Sequence, residues 1–366
     1  MWTTQLITLD RAADQPPGDD EASTESRVTR VERVTRSSRG IPAGWLALAL
    51  LAGCATEDFT APAPATPATA GAARRAPDDS ELAGVVPDGA ESVIELDVAQ
   101  LRTSAWSQRL VTGTDAERAA KTDAQGFDEI TDVDRALFAV NDAGGKTTTL
   151  TIARGRFDPA RLARALAGWT AGDWRGSRLW QRGDEAIALL TARTLIRGET
   201  AAVRTAIDCA WGLAPDVRRS GVGELRRELL ADGDHPPAVV AATLMTETMR
   251  RRLAGEVDLP VGLERAGARL DLGGPLQLEL FGLLATPNEA AAMAHNLEIT
   301  VRDLRARRAL AVFGLSTFLR DVTVVPQGRS LRARLTLPED QREDLATKIA
   351  FVLEAIRARP QSAASQ

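Results

Sequence analysis

Glu264-Arg-Ala-Gly-Ala-Arg-Leu-Asp-Leu272, then Gly273-Gly274-Pro275, then Leu276-Gln-Leu-Glu-Leu-Phe-Gly-Leu-Leu-Ala285, decides the fold class. Two runs of strand length flank a Gly-Gly pair, and that arrangement makes an antiparallel hairpin. Thr286-Pro287-Asn288-Glu289 follows directly. A Thr cap, a Pro at the first helical position and a Glu three residues after the cap form a capping box. The helix it opens carries Ala294, Leu297, Val301 and Leu304 on one face. Hairpins that feed amphipathic helices imply an α+β fold of antiparallel sheets with packed helices.

The same grammar extends in both directions. Downstream, Val322 to Val325 and Leu331 to Leu337 form a hairpin through Gly328. Pro338 opens a last helix with Leu345, Ile349, Val352 and Ile356 on its apolar face. Upstream, Pro215 to Gly223 is expected to be a boundary, followed by a helix over 224–230, a strand over 238–244 and a helix over 246–254. The first half repeats the order. Ser92 to Leu96 is a strand, and Asp97 with Gln100 is a capping box whose helix should run through Trp106 to about Val111. Residues 112–128 add a short helix. Strands over 133–140 and 147–154 meet across Asp142-Ala-Gly-Gly145. Phe157-Asp158-Pro159 starts a helix, with Phe157 stapled to Leu162. Strands over 174–180, 186–191 and 194–197 precede a helix over 199–211 with Val203, Ile207 and Ala210 inward. The repeated order predicts two ferredoxin-like units in tandem, 82–214 and 215–358, with a disordered tail over 359–366.

The chain has 366 residues, 44 % hydrophobic and 26 % charged, with a net charge of −5 and no tyrosine. That balance is ordinary for a globular protein and gives no field that favours nucleic acid. Two cysteines occur. Residues 55–80 are rich in Ala, Pro and Thr, with Pro62, Pro64, Pro67 and Pro77, and have too little apolar bulk to fold. Such a tether reaches on the order of 25 Å as a coil and about 80 Å fully extended.

Before the tether stands Trp45-Leu-Ala-Leu-Ala-Leu-Leu-Ala-Gly-Cys54, preceded by Arg36 and Arg39. A membrane-spanning helix needs roughly 20 apolar residues, so this run is too short to span. It fits the apolar region of a secretory signal over 36–53. Leu51-Ala52-Gly53-Cys54 resembles the lipobox of bacterial lipoproteins. The resemblance implies cleavage before Cys54, acylation of its sulfur and new amino group with fatty acids such as palmitate, and attachment to a membrane. Ala55, where that family carries Asp as an inner-membrane retention signal, implies the outer membrane, with the domain in the periplasm. Residues 1–35, with Asp19-Asp20-Glu21, do not suit a signal. They read as a disordered extension or as a mis-assigned start, the true one lying at Val28, Val31 or Val34. If Cys54 carries lipid, Cys209 has no partner and reads as a buried, inert thiol on a helix. Val86-Pro-Asp-Gly-Ala90, Asp97 and Leu101-Arg-Thr-Ser104 resemble a pattern in uncharacterised bacterial envelope proteins, which implies no chemistry.

Gly145-Lys146-Thr147 has Val140 where a phosphate loop needs glycine, and Gly221-Val-Gly223 lacks a third glycine and a leading strand. His235 and His295 are the two histidines, and no Gly-x-Ser-x-Gly supplies a nucleophile. Asp232-Gly-Asp234 lacks the further ligands of a calcium loop. Arg250-Arg-Arg252 and Arg302 to Arg308 read as solvated faces, with an anionic lipid or glycan as the alternative. Trp169, Trp174 and Trp180 read as core, with a carbohydrate platform as the alternative. No catalytic, metal or cofactor residue is assigned; Cys54 is the one site residue. The expected role is a non-enzymatic binding or scaffold module of the envelope, with an envelope protein, lipid or glycan as partner. A carrier of lipid or hydrophobic peptide, and a carboxylate-dependent glycan-cleaving enzyme, stand as alternatives.

Overall fold

A computed structural model of the chain describes residues 77, 79–104, 115–143, 146–233, 235–253, 262–307 and 316–357. Cys54, the leader, the tether up to residue 76 and the tail over 359–366 lie outside the described residues. The strands are β1 Ser92–Asp97, β2 Val133–Ala143, β3 Lys146–Gly155, β4 Thr170–Trp174, β5 Ser177–Arg182, β6 Glu185–Thr191, β7 Thr194–Glu199, β8 Val239–Leu244, β9 Leu263–Asp271, β10 Leu276–Leu284, β11 Val322–Gln327 and β12 Ser330–Leu337. The helices are α1 Val98–Thr103, α2 Asp115–Gln125, α3 Pro159–Ala165, α4 Thr200–Ala210, α5 Gly221–Ala231, α6 Glu247–Leu253, α7 Pro287–Ala306 and α8 Glu339–Arg357.

All twelve strands join one antiparallel sheet in the order β11-β12-β10-β9-β8-β1-β2-β3-β7-β6-β5-β4. The hairpin that decided the fold class forms as β9 and β10, with Leu278 opposite Leu270. The box behind it is complete: Thr286 Oγ1 accepts the Glu289 amide, and the Glu289 carboxylate accepts the Thr286 amide.

The element order repeats, but the strand order is not the interleaved one of ferredoxin-like units, which place another strand between the two strands of each β-α-β step. Here β1 lies directly beside β2, and β8 directly beside β9. The two edges of β1 are occupied by β2 and β8, so no slot remains for interleaving. The first half runs β1-β2-β3-β7-β6 outward from the midline, and the second runs β8-β9-β10-β12-β11. Only β4 and β5 break the correspondence. The boundary expected at 215–223 separates the halves in sequence, while the sheet continues across them. Val217, in a 3-10 turn over Val217–Arg219, is fully buried in the largest core cluster.

Other local expectations meet their physical limits. Asp97 caps α1 by accepting the Gln100 amide at 2.8 Å, but the Gln100 side-chain amide donates to the Pro236 carbonyl instead of closing the box. The helix expected to reach Val111 stops at Thr103, where the amide and hydroxyl of Ser104 both bond the Leu101 carbonyl. Residues 105–114 lie outside the described residues. The strand expected over 174–180 is two strands, β4 and β5, turned by Arg175 at φ 54° and Gly176 at φ 83°. Two successive positive φ values match the twist of a tight hairpin. Gly223 packs α5 against the turn before it: a Cβ there would stand 1.9 Å from the Val217 carbonyl oxygen. Close packing, not phosphate, accounts for the Gly221-Val-Gly223 pattern.

The core has two sides. On one, α4 and α5 and the buried turn Leu82–Val85 pack on the sheet through Val203, Ile207, Leu225 and Leu229. On the other lie three separate clusters, one centred on Phe157 and Leu162 and two beneath α7 and near the start of α8. Val301 is 8 % exposed and Leu304 4 %, so the expected inward face of α7 is the buried one. Val301→Asp should therefore lower stability by roughly 3 kcal/mol or more, as burying an unpaired charge does. Thermal unfolding checks it; an unchanged melting temperature would place that face in solvent.

Candidate functional site

The described chain enters the sheet from residue 79, and several interactions fix it there. Asp79 accepts hydrogen bonds from Thr191 Oγ1 and Thr194 Oγ1, each at 2.7 Å. These residues end β6 and begin β7, so the carboxylate clasps both sides of one turn. Arg154 of β3 donates to the Ser80 carbonyl at 2.8 Å. Glu81 receives Arg226 of α5 at 2.7 Å. Leu82 to Val85 then enter the core. Within a few residues the entering chain is attached to strands of the first half and to α5 of the second.

Arg226 has a second partner at the midline. Its Nε and Nη2 meet the Glu95 carboxylate at 2.7 and 2.6 Å, and both side chains are 4 % exposed. Arg135 of β2 approaches the other Glu95 oxygen. An isolated buried carboxylate is strongly unfavourable, so Glu95 is stable there because two guanidinium groups face it. Two further buried acids are matched in the same way. Asp271 lies 3.6 Å from Arg269, which donates to the Leu229 and His235 carbonyls. Glu279 accepts from Arg332 at 2.9 Å, and Arg332 also reaches Asp232. Burial lowers the Arg332 pKa, but the hydrogen bonds it donates to Glu279 and Asp232, and their charges, reverse this and leave it raised.

Beside the clasp lies an open depression of about 380 Å³ lined by Gly155, Arg156, Phe157, Asp158, Ala192 and Arg193. Ala192 and Arg193 are the middle of the turn that Asp79 holds. The Gly155 amide donates to the Arg193 carbonyl at 2.9 Å, which fixes that turn against the end of β3. Arg156 and Arg193 are exposed.

On the sheet face opposite Arg226, one level of the sheet is apolar across seven strands. Phe138, Ile94, Ala241, Ala268, Leu280, Ala333 and Val324 are successive cross-strand partners. Phe138, Ala268, Leu280 and Val324 are only half-buried. The alanines at the centre keep this row shallow.

The sequence candidates fall as follows. Cys54 lies outside the described residues. His235 and His295 are both exposed. Cys209 is 4 % exposed; burial, with Asp216, Asp88 and Asp208 nearby, pushes its thiol up to about 12, so it is inert at neutral pH. Asp234 lies outside the described residues, and Asp232 is engaged by Arg332. Among the described residues no group of three or more His, Cys, Asp or Glu could hold a metal. Trp180 is buried, and Trp169 and Trp174 are half-buried against the core, divided between the two faces. Trp180 and Trp169 belong to the Phe157 cluster, and Trp174 packs beside α4. Trp174 lies between Arg204 at 4.8 Å and Arg175 at 5.5 Å, and its Nε1 donates to Asp208. Guanidinium groups therefore occupy the ring faces that a sugar would need. Arg250 reaches the Met245 carbonyl, and Arg305 the Leu319 carbonyl, so parts of both basic clusters brace loops. The Asp79 clasp and the Glu95–Arg226 pair were not foreseen, because each joins residues more than a hundred positions apart.

No protein-family model matches the chain, and no curated protein is similar to it. Crystal structures of TP0453 align over most of it. Form III has 12 % identity and a TM-score of 0.45, covering 74 % of this chain and 97 % of that one. Form IV has 13 % identity and a TM-score of 0.46, covering 73 % and 96 %. At that level the likeness bears on neither fold nor activity.

Asp79 gives the entry point a pH signature. Burial raises its carboxyl pKa, but the Thr194 and Thr191 hydrogen bonds and the charge of Arg154 outweigh this and leave it below the usual value. A carboxyl with a lowered folded pKa stabilises the fold above the unfolded value of about 3.9. That contribution is lost as pH falls through the folded value. Asp79→Asn should be less stable than wild type at neutral pH, and the difference should close below about pH 4. Denaturant midpoints measured across that range check it; a difference independent of pH would contradict the clasp.

Proposed function

We propose that the chain is a lipid-anchored protein of the bacterial envelope, with a non-enzymatic binding or scaffold role. The observation that carries this reading is the Leu51-Ala52-Gly53-Cys54 sequence, standing after an apolar run too short to span a membrane and before a Pro-rich tether. The geometry of the domain supports it. The tether leads to Asp79, whose contacts with Thr191 and Thr194 would carry any pull on the anchor into the sheet. Each buried methylene adds about 0.8 kcal/mol of membrane affinity, and one chain alone binds reversibly. The three chains implied at Cys54 would make release negligible. Ala55 favours the outer membrane, with the domain facing the periplasm.

Two finer readings accompany this. The matching strand orders on either side of the β1–β8 midline support two α+β units in tandem, arisen by duplication. The apolar row from Phe138 to Val324 favours a second functional reading, a carrier of lipid or hydrophobic peptide. Native mass spectrometry of protein purified from membranes distinguishes carrier from scaffold: copurifying lipid favours the former, and a clean apo mass the latter. Cys54→Ala should abolish incorporation of labelled palmitate and leave the leader on the protein, visible as added mass. A wild-type protein that takes up no label and fractionates with the cytosol would contradict the anchored reading.

A further inference from the structure

The depression beside the tether entry combines three features. It is open and shallow, with about 380 Å³ of space. Its rim carries the exposed guanidinium groups of Arg156 and Arg193. It shares the turn Thr191–Thr194 with Asp79, where the Pro-rich segment meets the domain. Whatever surface holds the anchor is therefore within reach of this end of the sheet. The tether from residue 55 to 78 has a coil dimension on the order of 25–30 Å.

Carboxylates share this end, and the structure assigns most of them local work. Asp158 accepts the Ala160 amide, and Asp128 accepts those of Ile130 and Thr131. Asp132 accepts the Asp128 amide and lies 3.5 Å from Arg161. Asp134 lies 3.6 Å from both Arg102 and Arg193. Burial raises the Asp128 pKa, but its backbone hydrogen bonds and the charge of Arg118 lower it on balance. Asp128, Asp132 and Asp158 thus brace loops, and Asp134 is shared at 3.6 Å between Arg102 and Arg193, while the Arg193 side chain remains 62 % exposed. Among the described residues the Arg156 side chain donates to the Thr131 carbonyl at 3.3 Å.

We propose that this depression seats the phosphate of an anionic phospholipid headgroup in the membrane that carries the anchor, docking the domain by the end at which its tether enters. The planar guanidinium fork matches phosphate oxygens pairwise. An open site suits a headgroup fixed in a surface better than a small molecule that must be enclosed. Each basic side chain near an anionic surface strengthens attachment roughly fivefold. The proposal rests on the anchored reading for the membrane it meets, but not for the site itself.

Hydrogen exchange of the full-length chain with vesicles tests it, read by mass spectrometry over residues 155–158 and 191–194. Vesicles of phosphatidylglycerol should slow exchange there severalfold, and vesicles of phosphatidylcholine should not. Arg156→Glu with Arg193→Glu should remove the protection, while the equally charged pair Arg302→Glu with Arg320→Glu, on exposed positions elsewhere, should retain it. Arg156→Gln with Arg193→Gln, checked for an unchanged melting temperature, guards against misfolding. Equal protection by both lipids, or by neither, would overturn the proposal. So would protection by inorganic phosphate without vesicles, which would assign the site to a soluble phosphate. A wild-type chain that takes up no palmitate yet shows the phosphatidylglycerol effect would lose its anchor and keep this site.

Discussion

The Glu95 carboxylate is the constraint around which the molecule is arranged. It sits in the middle of β1, at the centre of a twelve-stranded sheet, and is almost fully buried. It is tolerable there only because Arg226 reaches it from α5 and Arg135 from β2. Strand β1 and Arg135 belong to the first half of the chain, and Arg226 to the second. A slip of β1 by one residue would turn Glu95 to the opposite face and strand a buried charge. The ion pair thus fixes the register at the seam where the halves meet. The buried hydrogen bond between Ser92 and Thr243, at 2.8 Å, fixes it a second time.

The same guanidinium ties the tether to that seam. Arg226 bridges Glu95 and Glu81, so the segment that leads into the domain is coupled to the central strand through one side chain. Asp79 couples it to the β6–β7 turn as well. The contacts from Asp79 to Val85 hold this end of the described chain against fraying.

Much of the fold was legible from residues near one another. The α7 capping box, the Asp158–Pro159 helix start, the β9–β10 hairpin and the buried stripe of α7 all follow from local patterns. The β4–β5 turn was missed because Arg175 occupies a left-handed position that usually calls for glycine or asparagine. The pairing of β1 with β8 was not legible, because strand neighbours distant in the chain leave no local mark. Without it the halves read as separate ferredoxin-like units. The Glu95 pair was not legible, since a lone Glu within a strand does not announce a partner at position 226. The one site residue assigned from sequence, Cys54, rests on a contiguous motif and lies outside the described residues.

The central claim is that the halves form one cooperative structure joined at β1–β8. Differential scanning calorimetry of the intact chain tests it most directly. The account predicts a single transition whose calorimetric enthalpy equals the van't Hoff enthalpy. Two resolved transitions, one for each half, would show that the seam is a contact between independent domains and would contradict it.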